Sequence, residues 1–425
     1  MSTLKVNKLR DTSGSTDAII LDPSGGAVLA GVTTVTSVKV GAAVTITESG
    51  IEASGIGITC ANLNGGQFGR RNKVINGAMQ IAQRSTSVAS ITSGDYYVCD
   101  RWKLGYGTAG TWTLSQSTDS PNNFGKSLKM DCTSANTSLS AGSNLQLIQH
   151  FEGQDLQDIQ KGTSSAREIT VSFYVKTNKT GTYVVELMDH DNSNRHCSKS
   201  YTVSDTNWNR YTLTFPADTT GTLDDDANKS FEVGFWLVAG GTFQGGSLQT
   251  SWGTLNQGSR AVGQVNLADS TSNEWYLTGV QLEVGSQATS FEHRGPGEEL
   301  ALCQRYFYRI GGKSNAYQLV GNGFIGLNGG TRCAKVVINF PTTMRATPTL
   351  EVIGTDSFSA DTGGAAATFP CTATGTGGGL WSAASTGDIA WLDFGRTSGG
   401  EPAVGTAVVV YTTSAAGECS FTAEL

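Results

Sequence analysis

Ile169-Thr170-Val171-Ser172-Phe173-Tyr174-Val175-Lys176-Thr177 is the stretch on which the fold turns. Val171, Phe173 and Val175 fall on one face, and Ser172, Tyr174 and Lys176 on the other. A period of two marks a half-buried β-strand, because successive side chains leave a strand on opposite sides. The same alternation recurs in YVVELMDH (183–190), WNRYTLTFP (208–216), FEVGFWLVA (231–239) and EWYLTGVQLEVG (274–285). Gly, Asn and Asp cluster between these runs, where they serve turns. Helical periodicity is nearly absent from 71 to 297, so that segment reads as an antiparallel β-sandwich.

Composition agrees. Of 425 residues only 15% are charged and 38% hydrophobic, with 54 Gly, 8 Trp, 12 Tyr and 16 Phe. Enough aromatics are present to fill cores, and the length suggests two to four folded units. The net charge of −7 and the lack of a basic run argue against a nucleic-acid surface. No window approaches the roughly 18 apolar residues of a membrane span, and VGTAVVVY (404–411) reads as a buried strand. MSTLKVNKLRDTSG carries no apolar signal segment, so synthesis and assembly in the cytosol are expected. The eight cysteines (60, 99, 132, 197, 303, 333, 371 and 419) form no CxxC pair and read as small buried hydrophobes.

Outside the sandwich the chain changes character. Residues 1–28 hold a Pro23-Ser24-Gly25-Gly26 turn and too little apolar surface for a domain; they read as an attachment segment. Residues 29–70 carry single β-branched residues at short intervals (Val32, Val38, Val44, Ile46, Ile56, Ile58) and no aromatic before Phe68. Such a stretch cannot bury a core alone, and three copies wound about one axis would hide the thin Val/Ile stripe. An intertwined β shaft of a homotrimer is the expectation. GEELALCQRYFYRI (297–310) is the one credible helix: Glu298 and Glu299 suit its N-terminal end, and Leu302/Tyr306 and Cys303/Phe307 would stack at i, i+4. Strands return from 311 to 425, so 298–425 reads as a linking helix and a C-terminal β tip. Its Gly-rich loop CTATGTGGGLWSAASTGD (371–388) would face outward, with Trp381 as its one large side chain.

NKVINGAMQIAQRSTS (72–87) followed by DYYVCDRWKLGY (95–106) resembles the opening of the carbohydrate-binding-module-like domain of many bacteriophage tail fibres. Residues 149–177, NWNRYTLTFPADTTGT (207–222), FWLVAGGTF (235–243) with SWG (251–253), and above all 276–310 resemble the same family. Together they span roughly 72–310. STLKVNKLRDTSGSTDAI (2–19) is similar to the start of structural proteins of marine, particularly cyanobacterial, phages. The resemblance implies an all-β, elongated homotrimer: N-terminal shaft, jelly-roll sandwich (71–297) and C-terminal β domain, located in the virion tail and used in adsorption to host glycans. It also implies where related modules hold a structural calcium, near Asn76 and Glu283. Ala78 replaces the acid those modules usually carry after Asn-Gly, so no cofactor is expected.

Sugar recognition uses flat aromatic faces flanked by a few polar groups. Trp102, Trp208, Trp236 and Trp275 lie inside strand patterns and read as core; Trp112, Trp252 and Trp381 lie nearer loops and are the candidate glycan contacts. Glycoside hydrolysis would need two carboxylates about 5–9.5 Å apart. Asp155 with Asp158, Asp189 with Asp191, and Asp224-Asp225-Asp226 are the candidates, but all sit where Asp ordinarily serves turns. No GxSxG, HExxH or P-loop is present. DHDNSNRHC (189–197) places His190 and His196 on either side of a turn, where facing strands could join them on a metal; a solvated hairpin tip is the preferred reading. The favoured function is a non-enzymatic tail fibre whose N-terminus contacts other tail proteins and whose distal domains bind a host surface polysaccharide or outer-membrane receptor. A tailspike-type glycan depolymerase and a purely architectural tail protein are the alternatives.

Overall fold

The computed structural model describes residues 70–312, 318–328, 330–354, 357–363, 368–372, 379–380, 386–396 and 402–425, together with six short strands before residue 54. Two compact units are present, Met1–Ala61 and Asn62–Leu425.

In the first unit β1 (Lys8–Arg10), β2 (Asp17–Leu21) and β3 (Ala27–Leu29) form one antiparallel meander. A second is formed by β4 (Ser37–Val40), β5 (Val44–Thr47) and β6 (Gly50–Ala53), with Val38 opposite Ile46 and Ile46 opposite Ile51. The β-branched residues Val38, Val44 and Ile46 thus lie on strands, as their spacing predicts. Val32, Ile56 and Ile58 lie outside the described residues.

The second unit opens with eleven strands: β7 (Ser87–Ile91), β8 (Lys103–Gly107), β9 (Thr111–Ser117), β10 (Ser127–Ser134), β11 (Asn144–Glu152), β12 (Ile169–Thr177), β13 (Gly181–Asp189), β14 (Arg195–Val203), β15 (Asn209–Phe215), β16 (Lys229–Ala239) and β17 (Glu274–Val284). They form a six-stranded sheet, β15-β12-β17-β10-β9-β7, and a five-stranded sheet, β14-β13-β16-β11-β8. The chain passes back and forth between the sheets, which is the jelly-roll way of closing a sandwich. Val171, Phe173 and Val175 point into the space between them and are fully buried. Phe173 of β12 meets Phe235 of β16 edge to face at 5.0 Å, joining the sheets through a quadrupole-favoured ring pair. Trp236 and Trp275 are buried within their strands, and Trp102 is buried just before β8.

Beyond the sandwich a helix spans Pro296–Gln304, shorter than 297–310 predicts. Tyr306 leaves the helical path to donate its hydroxyl to the buried Glu152 carboxylate. Residues 307–311 then form β18 (Phe307–Gly311), paired in register with Glu418–Thr422. Tyr306 and Phe307 therefore lie beyond the helix, so the expected i, i+4 pairs Leu302/Tyr306 and Cys303/Phe307 are not helical pairs; ladder hydrogen bonds outcompete a short helical extension. The remaining strands are β19 (Leu319–Asn328), β20 (Thr331–Asn339), β21 (Thr349–Ile353), β22 (Phe358–Asp361), β23 (Thr368–Thr372), β24 (Gly379–Leu380), β25 (Ile389–Arg396), β26 (Ala407–Thr412) and β27 (Glu418–Thr422). β18, β27 and β21 make a small sheet. β20, β19, β26, β22, β23 and β25 follow in order, and β20 pairs back with β25, so this sheet closes into a barrel around Val336, Phe358, Leu392, Phe394 and Val410.

Buried charges dock the barrel side on the sandwich. The Arg101 guanidinium lies 3.5 Å over the Tyr306 ring, donates to the His150 carbonyl at 2.7 Å and pairs with Glu424. Arg305 holds both oxygens of Glu152, at 2.7 and 2.6 Å. Six cysteines (Cys99, Cys132, Cys197, Cys303, Cys333 and Cys419) are free and buried, as their spacing predicts. Cys60 and the side chain of Cys371 lie outside the described residues.

Candidate functional site

A β-bulge shapes an aromatic surface on the sandwich. β12 and β17 run in register until Ser172 opposite Gln281, then resume with Tyr174 opposite Thr278. The extra residue on β17 is accommodated at Gly279, whose φ of 61° is left-handed and suits glycine. With no Cβ there, the Phe124 ring settles onto the strand; a Cβ would lie 2.7 Å from Phe124 and 2.9 Å from Tyr174. Phe124 in turn packs on Tyr174 (5.2 Å), Phe291 (5.0 Å) and His293 (5.2 Å). These four rings, with Asn123, Arg210 and Ser290, line an open cleft of about 570 Å³ on the outer face of the six-stranded sheet.

The rim is fixed from behind. Buried Glu283 accepts from the Thr289 backbone N–H (2.9 Å), the Thr289 hydroxyl (2.8 Å) and the Gln281 amide (2.8 Å), while Gln281 accepts from the Glu292 backbone at 2.8 Å. This lattice pins the segment that presents Ser290, Phe291 and His293. Arg210 donates through Nη2 to Ser172 Oγ at 3.2 Å and to the Thr289 carbonyl, so an exposed guanidinium is held at the cleft edge. In the neighbouring row of the same face, Lys129 and Lys176 each stand 5.5 Å from the Tyr276 ring centre, and Trp208 meets Tyr276 edge-on. Lys176 and Trp208 both donate to Asp119, and the Lys176 hydrogen bond chiefly holds that carboxyl below its ordinary range. Rings half covered by protein, with a cation and amides at the margin, can stack a pyranose and hold its hydroxyls.

Gly279→Ala is expected to force Phe124 off its seat and to strain the left-handed backbone. The result should be a loss of about 1–3 kcal/mol in unfolding experiments and, with the cleft floor displaced, weakened ligand binding. Unchanged stability would show that the bulge relaxes freely.

Two of the tryptophans expected to contact sugar, Trp112 and Trp252, are elsewhere. Trp112 is wholly enclosed and its indole donates to the Ala109 carbonyl at 2.7 Å. That corrects its reading as an exposed loop residue: it begins β9 and alternates inward with Leu114. Trp252 is half covered, donates to the Pro216 carbonyl at 2.8 Å and packs on Phe231 at 5.7 Å, so it anchors its loop onto the core. Trp381 lies outside the described residues. Trp208, read from its pattern as core, is instead on the outer face.

Asp158, Asp189, Asp191 and Asp226 serve turns and pairs. Asp189 is buried against Lys161 and accepts from the backbones of Asp191 and Asn192; Asp191 accepts from Asp224 N, Asp226 from Asn228 N, and Asp158 pairs with Lys73 at 2.8 Å. Burial pushes the Asp155 pKa up. Around the implied calcium neighbourhood, Asn76 donates to the Ile81 and Asp100 carbonyls, and Glu283 is engaged as above.

The histidine hairpin divides. His196 is buried 2.9 Å from Glu186, which also receives Arg260 and the Trp236 indole. His190 turns the other way, to Glu232 and His150. The two do not meet on one metal. Pairing of β11 with β16 places His150 opposite Glu232; on the far side of β16, β13 sets Met188 opposite Glu232, and His190, two residues further on in the turn, reaches the same carboxylate at 3.0 Å. His150, His190 and Glu232 are the metal-capable group among the described residues. Burial pushes the His150 pKa down.

No protein family matches the chain by sequence, and no curated protein matches it. Solved structures give weak likenesses. A protein described as sugar-binding from Bacteroides thetaiotaomicron is 12% identical over 50% of this chain and all of its own, at a TM-score of 0.30. A xylan-binding domain of carbohydrate-binding module family 22 is 13% identical over 47% of this chain and all of its own, at 0.26. The family 11 module of a Clostridium thermocellum cellulase is 13% identical over 49% of this chain and 99% of its own, at 0.25. Similarity this low identifies no family, and the sandwich rests on its own strand order and register.

Proposed function

We propose that this chain is a glycan-binding, non-enzymatic component of a bacteriophage tail fibre, and that the cleft of Phe124, Tyr174, Phe291, His293 and Arg210 is its sugar contact. The observation that carries the reading is the bulge at Gly279, which collects half-exposed rings beside a held guanidinium on a rigid sheet. Stability alone does not call for such an arrangement, since half-exposed rings gain little from burial there. The sequence resemblance of 72–310 to tail-fibre modules supplies the biological setting: a virion tail, with the N-terminal strands attaching to other tail proteins and a host polysaccharide as partner. A homotrimer is part of the proposal. Its support is the Val/Ile stripe of 29–70 and the apolar surface that Leu319, Phe324 and Val409 expose on paired strands β19 and β26.

Purified chain should bind host cells as a particle of three-chain mass, and soluble envelope polysaccharide should compete that binding away. Undiminished binding to cells stripped of the polysaccharide would overturn the glycan reading. Release of reducing sugar during the incubation would favour a depolymerase instead.

A further inference from the structure

His150 on β11, Glu232 on β16 and His190 in the turn after β13 come together on the face of the five-stranded sheet opposite the core. Both imidazoles aim Nε2 at one oxygen: Glu232 Oε2 is 3.1 Å from His150 Nε2 and 3.0 Å from His190 Nε2. What their other nitrogens do decides what that contact is. His150 Nδ1 lies 3.0 Å from the main-chain oxygen of Leu425, which can only accept, and the nearby Tyr96 hydroxyl donates to that same oxygen at 3.1 Å. The His150 proton therefore belongs on Nδ1. His190 Nδ1 faces the Asn194 side-chain oxygen at 2.9 Å, which asks for the same tautomer.

With both protons drawn outward, two nitrogen lone pairs and a carboxylate oxygen converge on one point. Three electron pairs at such spacing repel unless something positive lies between them. An imidazole whose far N–H is tied to a carbonyl or amide oxygen is also how metal-binding histidines are usually held, since that bond fixes the ring and raises its basicity. We propose that His150 Nε2, His190 Nε2 and Glu232 Oε2 hold one divalent cation of the zinc type. The three ligand atoms lie within 4.8 Å of one another. A tetrahedral zinc with bonds of about 2.0–2.2 Å keeps its ligands about 3.3–3.6 Å apart, so the two nitrogen–oxygen contacts, at 3.1 and 3.0 Å, need to open by about 0.2–0.6 Å. The mix of two imidazoles and one carboxylate suits zinc over calcium or magnesium, which prefer all-oxygen shells. The cation would staple β11, β16 and the turn after β13, beside the point where Leu425 meets the sandwich.

The test is zinc chloride titrated calorimetrically into chelator-stripped full chain, with melting followed in parallel. One saturable zinc per chain and a rise in melting temperature are expected. His190→Ala, whose side chain is partly exposed, should weaken binding at least about 100-fold, and Asn194→Ala, which only orients His190, about 10-fold. Absence of saturable uptake by the wild-type chain would overturn the proposal. So would equal zinc affinity in the wild type and a folded His190→Ala, which would place the metal elsewhere.

Discussion

Glu152→Ala is expected to destabilise the Asn62–Leu425 unit by about 3–5 kcal/mol, the cost of breaking a buried charge pair by removing one partner. Glu152 is fully buried and accepts from Arg305 Nε and Nη2, the Tyr306 hydroxyl and the Gln154 amide. Removing it strands the Tyr306 hydroxyl in a dry site and frees the chain that leads from the helix into β18. At about 2–4 °C per kcal/mol for a unit of this order, melting should fall by about 6–20 °C. Burial raises the Glu152 pKa, but the bonds from Arg305 and Tyr306 lower it further, and the net displacement is downward. The sign for pH follows. The folded pKa lies below the unfolded value of about 4.3, so this carboxylate's contribution is complete above that value and is lost as pH falls through the folded pKa. Acid melts of Glu152→Gln should show a shallower pH dependence than the wild type. A loss under about 1 kcal/mol for Glu152→Ala would mean that the docking of the C-terminal strands does not depend on this pair.

Phe173→Ala should cost about as much, 3–5 kcal/mol, by a different route. The ring is fully buried between the sheets and touches Phe235 and Tyr201, each at 5.0 Å, and Tyr211 at 5.8 Å. The cavity cannot collapse, because the neighbours on both sheets are themselves locked in ladders. Phe173→Leu should recover much of the loss in urea unfolding. If Phe173→Ala were as stable as the wild type, the two sheets would not be closed by this layer.

Much of the architecture is legible in the sequence because strand periodicity is a local property. The alternation in 169–177 places Val171, Phe173 and Val175 in the core and Tyr174 and Lys176 outside, and the structure agrees. Outward Tyr174 was thus a readable signal. The cleft itself was not readable. Whether Phe124, just before β10, meets Tyr174 and gathers Phe291 beside it depends on one inserted residue at Gly279, and a bulge shows only when the partner strand is known. The same holds for His150 and Glu232, which are 82 residues apart and adjacent only through the β11–β16 register. The hairpin pair His190/His196 misleads for the complementary reason: near in sequence, the two side chains are claimed by different acids, Glu232 and Glu186. The helix over 297–304 was visible from its acidic N-terminal end, but its end was not, because Tyr306 is drawn away by a carboxylate 154 positions earlier.

The central claim is that the Gly279 cleft is the glycan contact, and equilibrium binding of purified chain to host envelope polysaccharide tests it most directly. The wild-type chain should saturate. Tyr174→Ala and Phe291→Ala should each lose about 1–3 kcal/mol, a drop of about 5- to 150-fold in affinity, while melting as the wild type does within a few degrees. Superimposable binding curves for the wild type and both folded variants would contradict the account.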